Sequence, residues 1–209
     1  MKNATKSGSK KRAESVSKAL PAKSSAKSKA TVRVSTAPKA KERWIPDVIA
    51  SPTLSDYFEI MTMAVFQAGT SWAMIHNKWN GFRAALGNFD PAVVAKFGDK
   101  DLAGLLETPG LFRSEKKFRA VIQNAKTLVR LDKEMGGFKR YLRLFKDYES
   151  LSTDIKKQFE GIGELSAYYF LFRAGESVPA FEQWVTTIEG DHPRMREMVE
   201  KARACGPAK

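Results

Sequence analysis

Phe159-Glu160-Gly161-Ile162-Gly163-Glu164-Leu165-Ser166-Ala167 is the stretch on which the fold of this chain turns. Residues 152–159 before it and 164–174 after it carry apolar residues at helical spacing. Two glycines between two helices permit a backbone turn closed to other residues. They also remove the side chains that would keep an anion from the backbone N–H groups. The start of the second helix adds unsatisfied donors and the positive end of a dipole. Gly161 and Gly163 therefore read either as a tight turn in a helical bundle or as a grip for a DNA phosphate, made of backbone and indifferent to sequence.

Upstream of this turn the chain is helical in pattern from Trp44 onward. Thr53, with Asp56 three residues later, reads as a helix cap. Leu54, Tyr57, Phe58, Met61, Val65 and Ala68 then share one face, and Gly69 stops the helix. A second helix opens at Thr70 or Ser71 and buries Trp72, Ile75, Trp79, Phe82 and Leu86. Asp90-Pro91 is a cap followed by proline at the first helical position. Short helices are expected over 91–97 and 100–107. A long one runs from Ser114 to about Met135, with Phe118, Val121, Ile122, Ala125, Leu128 and Val129 inward. Further helices fit 138–146 and 192–204. No convincing strand appears, and the expected fold class is all-α.

The 209 residues carry a net charge of +13, unevenly placed. Residues 1–43 hold 13 Lys/Arg against two Glu, whereas residues 44–209 are close to balanced. The first segment is Lys, Ser, Ala and Thr with little to bury. It reads as a disordered tail, either a solvated linker or a polycation that attracts DNA phosphates without reading sequence. The rest reads as one helical domain. Arg113 to Lys146 holds 11 basic residues against three acids. Arg113, Lys116 and Lys117 head this stripe as expected DNA contacts.

One cysteine, Cys205, excludes an internal disulfide. No uncharged apolar run approaches the roughly 18–20 residues of a membrane span. No apolar segment follows the basic N-terminus, so a secretory signal is not expected. The expected setting is the cytoplasm or nucleoid of a bacterium, or a nucleus or organelle if the source is eukaryotic.

Two motifs carry a family resemblance. Phe-Glu-Gly-Ile-Gly-Glu-Leu-Ser-Ala at 159–167 resembles the hairpin of the helix–hairpin–helix DNA glycosylase superfamily, with Ser166 at its hydroxyl position. Phe66-Gln67-Ala68-Gly69-Thr70-Ser71-Trp72 resembles the signature of the 3-methyladenine DNA glycosylase I family. That similarity continues through Phe82-Arg83-Ala84, Phe89-Asp90-Pro91, Leu111-Phe112-Arg113, Lys117 and Ile122-Gln123-Asn124-Ala125, covering about residues 54–175.

The resemblance implies a helix–hairpin–helix glycosylase fold and excision of alkylated purines from double-stranded DNA by a monomer. The damaged base is extruded into an aromatic pocket. A cationic base stacked on an aromatic face gains roughly 0.5–2 kcal/mol. A carboxylate then stabilises the oxocarbenium-like sugar and orients water. Glu182, in Val178-Pro179-Ala180-Phe181-Glu182, stands where the superfamily carries its catalytic aspartate. Trp72 matches the pocket aromatic, and Trp44 and Trp184 are further pocket candidates. The hairpin from Gly161 to Ala167 has no lysine to attack the sugar, so strand cleavage is not expected.

Two departures narrow this expectation. The family's structural zinc uses Cys and His near both termini, but here only Cys205, His76 and His192 are present. Neither histidine has a second ligand at metal spacing, so both read as surface or capping residues and no zinc is expected. The family's pocket glutamate is replaced by Ala64. Either Glu182 performs the acid's work, or the substrate differs, or the chain is a non-catalytic DNA-binding module on the same fold.

Overall fold

The computed structural model describes residues 47–204. The expected tail, the boundary at residue 43, Trp44 and Cys205 all lie outside these residues. Among the described residues every regular element is helical. None is long and apolar enough to cross a membrane.

Helix α1 (Leu54–Gln67) is the hub. Thr53 and Asp56 close its first turn reciprocally: the Asp56 N–H donates to Thr53 Oγ1 at 3.3 Å, and the Thr53 N–H to Asp56 Oδ2 at 2.8 Å. From Tyr57 to Phe66 only Glu59 escapes full burial. A helix apolar nearly all round must be covered on every side. It packs against α2 (Trp72–Ala85), the short α3 (Pro91–Val94) and, downstream, α5 (Glu115–Met135) and α8 (Glu164–Arg173). Ser71 caps α2 and Asp90 caps α3.

Helix α4 (Asp99–Glu107) leans on α5. The inward stripe of α5 includes Phe118, Val121, Ile122, Ala125 and Leu128, then continues to Leu131, while Val129 is only half-buried. Asn124 and Thr127 are buried on the same helix. Gly136, at φ 65°, ends it.

Helix α6 (Phe138–Leu142) is shorter than the expected 138–146, and α7 (Tyr148–Gln158) starts before the expected 152. Helix α6 closes at Arg143, whose N–H donates to the Arg140 carbonyl at 3.1 Å, and the Asp147 carboxylate starts α7 by accepting the Ser150 N–H at 2.8 Å. Helix α8 follows the double-glycine turn. Helix α9 (Phe181–Trp184) lies in a segment that carried no helical expectation, and α10 (Pro193–Ala204) closes the described chain.

Before α1, the chain is pinned to the end of α8. The Ile49 N–H donates to the Arg173 carbonyl at 2.8 Å, and Arg173 Nε donates to the Asp47 carbonyl at 2.8 Å.

Candidate active site

Gly161 needs its freedom, because φ is +72°. A Cβ there would lie 3.5 Å from Ala120 of α5 and 3.6 Å from Val65 of α1. Gly163 is the N-cap of α8, and a Cβ added to it would meet nothing within 4 Å. The first glycine thus makes the turn and the second leaves its outer side open.

Asn124 holds this turn in place. Its Nδ2 donates to the Glu160 carbonyl at 2.9 Å, and its Oδ1 accepts the Glu160 N–H at 2.7 Å. Lys156 of α7 pairs with Glu164 in the first turn of α8. The sequence signal for the clamp was present: an amide on the inward stripe of an amphipathic helix.

Beside the hairpin lies a cleft of about 360 Å³. Three segments line it: Gln67-Ala68-Gly69 from the end of α1, Leu165-Ser166 from the start of α8, and Asp191 to Met195 from the entry of α10. Its size is at the small end for ligand sites. Asp191 is the one carboxylate among the described lining residues, and its side chain sits 3.6 Å from Arg196. His192 Nε2 is covered and has no hydrogen-bond partner among the described residues.

The expected site residues separate into three groups. Gly161, Gly163 and Ser166 come together at the hairpin and cleft. Ser166 is 7% exposed, however, and its hydroxyl donates to the Ala64 carbonyl at 3.4 Å, a long bond. Arg113 and Lys116 are exposed near the start of α5, four to seven residues from the Ala120 that abuts the hairpin. Lys117 is used internally. Its Nζ donates to the carbonyls of Phe66 at 3.2 Å and Ala68 at 2.9 Å, which end α1. Burial holds its pKa below the ordinary lysine value.

The aromatic candidates are packed rather than open. Trp72 is 2% exposed, stacked on Tyr169 at 5.7 Å, with Nε1 donating to the Arg194 carbonyl at 3.4 Å. No face of its ring is free to receive a base in this arrangement. Tyr169 in turn accepts a hydrogen bond from buried Arg173 at 2.9 Å, and burial raises the Tyr169 pKa. Trp184 stacks on Tyr168 at 4.1 Å and is core.

Ala64 is wholly buried and is not among the residues that line this cleft. The small side chain lets α1 and α8 close together where a glutamate would need room. Glu182 is exposed on α9 and lies outside the cleft lining. Its neighbours Phe181 and Trp184 pack on Tyr168. At helical spacing Tyr168 points away from the Ser166–Tyr169 side of α8.

The sequence pattern of the methyladenine glycosylase family matches residues 49–175. The chain belongs to the methyladenine glycosylase family. It is 26% identical over 139 residues to the DNA-3-methyladenine glycosylase of Haemophilus influenzae, covering 56% of this chain and 75% of that one. It is 28% identical over 96 residues to DNA-3-methyladenine glycosylase 1 of Escherichia coli, covering 46% and 51%. The chain thus spans about half the length of the second relative. The fold is similar to a crystal structure of a 3-methyladenine DNA glycosylase I variant in complex with 3-methyladenine, with TM-score 0.55, 23% identity and coverage of 61% and 81%. It is similar also to the Staphylococcus aureus 3-methyladenine DNA glycosylase I, with TM-score 0.54, 22% identity and coverage of 61% and 80%.

Within this family the matched segment contains both motifs and ends at the close of α8. Asp191, His192 and Arg194 lie beyond it. Among the described residues no three His, Cys, Asp or Glu side chains gather as a metal site. His76 is exposed on α2 while His192 stands at the cleft.

Proposed function

We propose that this glycosylase removes alkylated purines of the 3-methyladenine type from double-stranded DNA by hydrolysing the N-glycosidic bond. The observation that carries this reading is the position of the cleft. It joins the Gln67-Ala68-Gly69 motif to Leu165 and Ser166, just after the Gly161–Gly163 hairpin. A duplex held at Gly161–Gly163 and by Arg113 and Lys116 would present an extruded nucleotide to that cleft.

Hydrolysis at the anomeric carbon calls for a carboxylate near the developing positive charge. Asp191 is the better-placed acid, because it lines the cleft and Glu182 does not. The lysine-free hairpin supports release of the base without strand cleavage. The chemistry requires no redox cofactor, and the histidine and cysteine set supports work without zinc. We take the protein to act as a monomer in the compartment that holds DNA, the cytoplasm or nucleoid of a bacterial cell.

The test uses methylated duplex DNA, with chromatography of the released base and electrophoresis of the strands. Free base should appear without nicks. Asp191→Asn should lower kcat by about 100-fold or more, the range for a lost electrostatic group, and Glu182→Gln by under about threefold. The reverse ranking would move the acid to Glu182. A wild type that binds duplex DNA with a steep salt dependence yet releases no base would favour the second reading, a binding module. The covered ring of Trp72 is the observation that supports that alternative.

A further inference from the structure

Among the described residues that line the cleft, His192 carries a covered side-chain nitrogen without a hydrogen-bond partner. His192 stands at the entry of α10, where its carbonyl accepts the N–H groups of Met195 and Arg196 at 3.1 and 3.2 Å. That backbone duty fixes the residue but does not occupy its ring. The ring lies against Gly190, with Cε1 3.5 Å and Nε2 3.9 Å from the place a Cβ would take. Nε2 is covered and without a hydrogen-bond partner among the described residues. A covered imidazole nitrogen with no partner is unfavourable, and turning the ring toward the cleft would let a ligand supply one.

Charge in the cleft is balanced. The formally charged residues among the described lining are Asp191 and Arg194, one of each sign. Ala64 contributes none, and its side chain is sealed between helices. A pocket of this kind has little means of selecting a base by positive charge. Selection then falls to groups that hydrogen-bond the edge of the ring.

We propose that His192 is the residue that reads the extruded purine, through a hydrogen bond from or to Nε2, and that this cleft selects by hydrogen bonding rather than by countercharge. The inference rests on the cleft being the base site. It assigns base recognition to the turn ahead of α10, outside the 49–175 segment shared with the family. Asp191, next in the chain, serves the sugar rather than the base.

The chain has two histidines, so their ring resonances can be assigned with a His76→Gln variant. The full-length protein is titrated with free 3-methyladenine and followed by NMR. The His192 resonances should shift saturably while those of His76 stay in place. His192→Ala should weaken binding by about tenfold or more, the loss of one hydrogen bond to a ligand. His192→Gln, which keeps a donor and an acceptor, should recover part of the loss, and circular dichroism confirms that each variant is folded.

If neither resonance moves, or if His192→Ala binds within about twofold of wild type, the proposal is overturned. Wild type that binds the base through His192 but releases none from methylated DNA would sink the catalytic reading and leave this one standing. Release of base with an unchanged KM in His192→Ala would do the opposite.

Discussion

Asn124 holds both backbone groups of Glu160, donating to its carbonyl at 2.9 Å and accepting its N–H at 2.7 Å. The side chain is 1% exposed, so the amide of one helix sets the backbone that enters the hairpin. Asn124→Ala removes two hydrogen bonds and leaves a carbonyl and an N–H short of partners. It should cost about 2–3 kcal/mol of stability by chemical denaturation. Duplex affinity should fall as well, measured by fluorescence anisotropy under conditions where the variant remains folded. An unchanged affinity would show that the clamp serves stability alone.

The two hairpin glycines should respond differently to alanine. Gly161→Ala places a side chain at φ +72°, so it should destabilise by about 1–2 kcal/mol. Gly163→Ala meets open space and, at an N-cap, should cost under about 1 kcal/mol. Its methyl group would nevertheless stand on the open side of the turn, where the proposed phosphate contact is made. The expected outcome is a near-normal Tm with weakened DNA binding for Gly163→Ala. Normal binding by that variant would remove the phosphate from this turn.

Lys117 is expected to matter for folding more than for DNA. Lys117→Met keeps much of the stem but leaves the Phe66 and Ala68 carbonyls without their donor, at a cost of about 1–3 kcal/mol. The salt slope of duplex binding should be unchanged, whereas Lys116→Met should reduce it by about one counterion. Burial lowers the Lys117 pKa in the fold. The unfolded chain therefore binds more protons as pH rises from the depressed value to the ordinary one, and this residue's contribution to stability rises across that alkaline window. Lys117→Met should abolish that rise in a series of denaturation curves.

Buried tyrosines should dominate alkaline unfolding. Burial pushes Tyr57 and Tyr148 up to about 12 from 10.0, and Tyr141, which donates to Asp154 at 2.6 Å, is raised further. These groups stay neutral in the fold while the unfolded chain ionises near pH 10. The stability they contribute is complete below pH 10 and declines as pH rises through about 12. Phenolate absorbance should therefore grow in step with loss of helical circular dichroism. A large absorbance change with the fold intact would show that these rings are solvated.

The family, the all-α fold and the positions of most helices were legible in the sequence because their signals are local. Thr53 and Asp56 meet within one turn, Asp90-Pro91 starts a helix by itself, and Gly161 marks a left-handed turn at one residue. Where local signals overlapped, boundaries moved, as at Arg143 and Asp147 between α6 and α7. The cleft was not legible. Trp72 and Arg194 touch across 122 positions, and nothing within either segment specifies that meeting. It follows from burial of apolar faces, which brings the end of α1, the start of α8 and the entry of α10 together. The same packing decided which candidates line the cleft. It sealed Trp72, Trp184 and Ala64, left Glu182 outside the lining, and placed Asp191 and His192 at the site. Residue type showed which chemistry the chain has available, and only the tertiary packing decided which of those side chains reach the cleft.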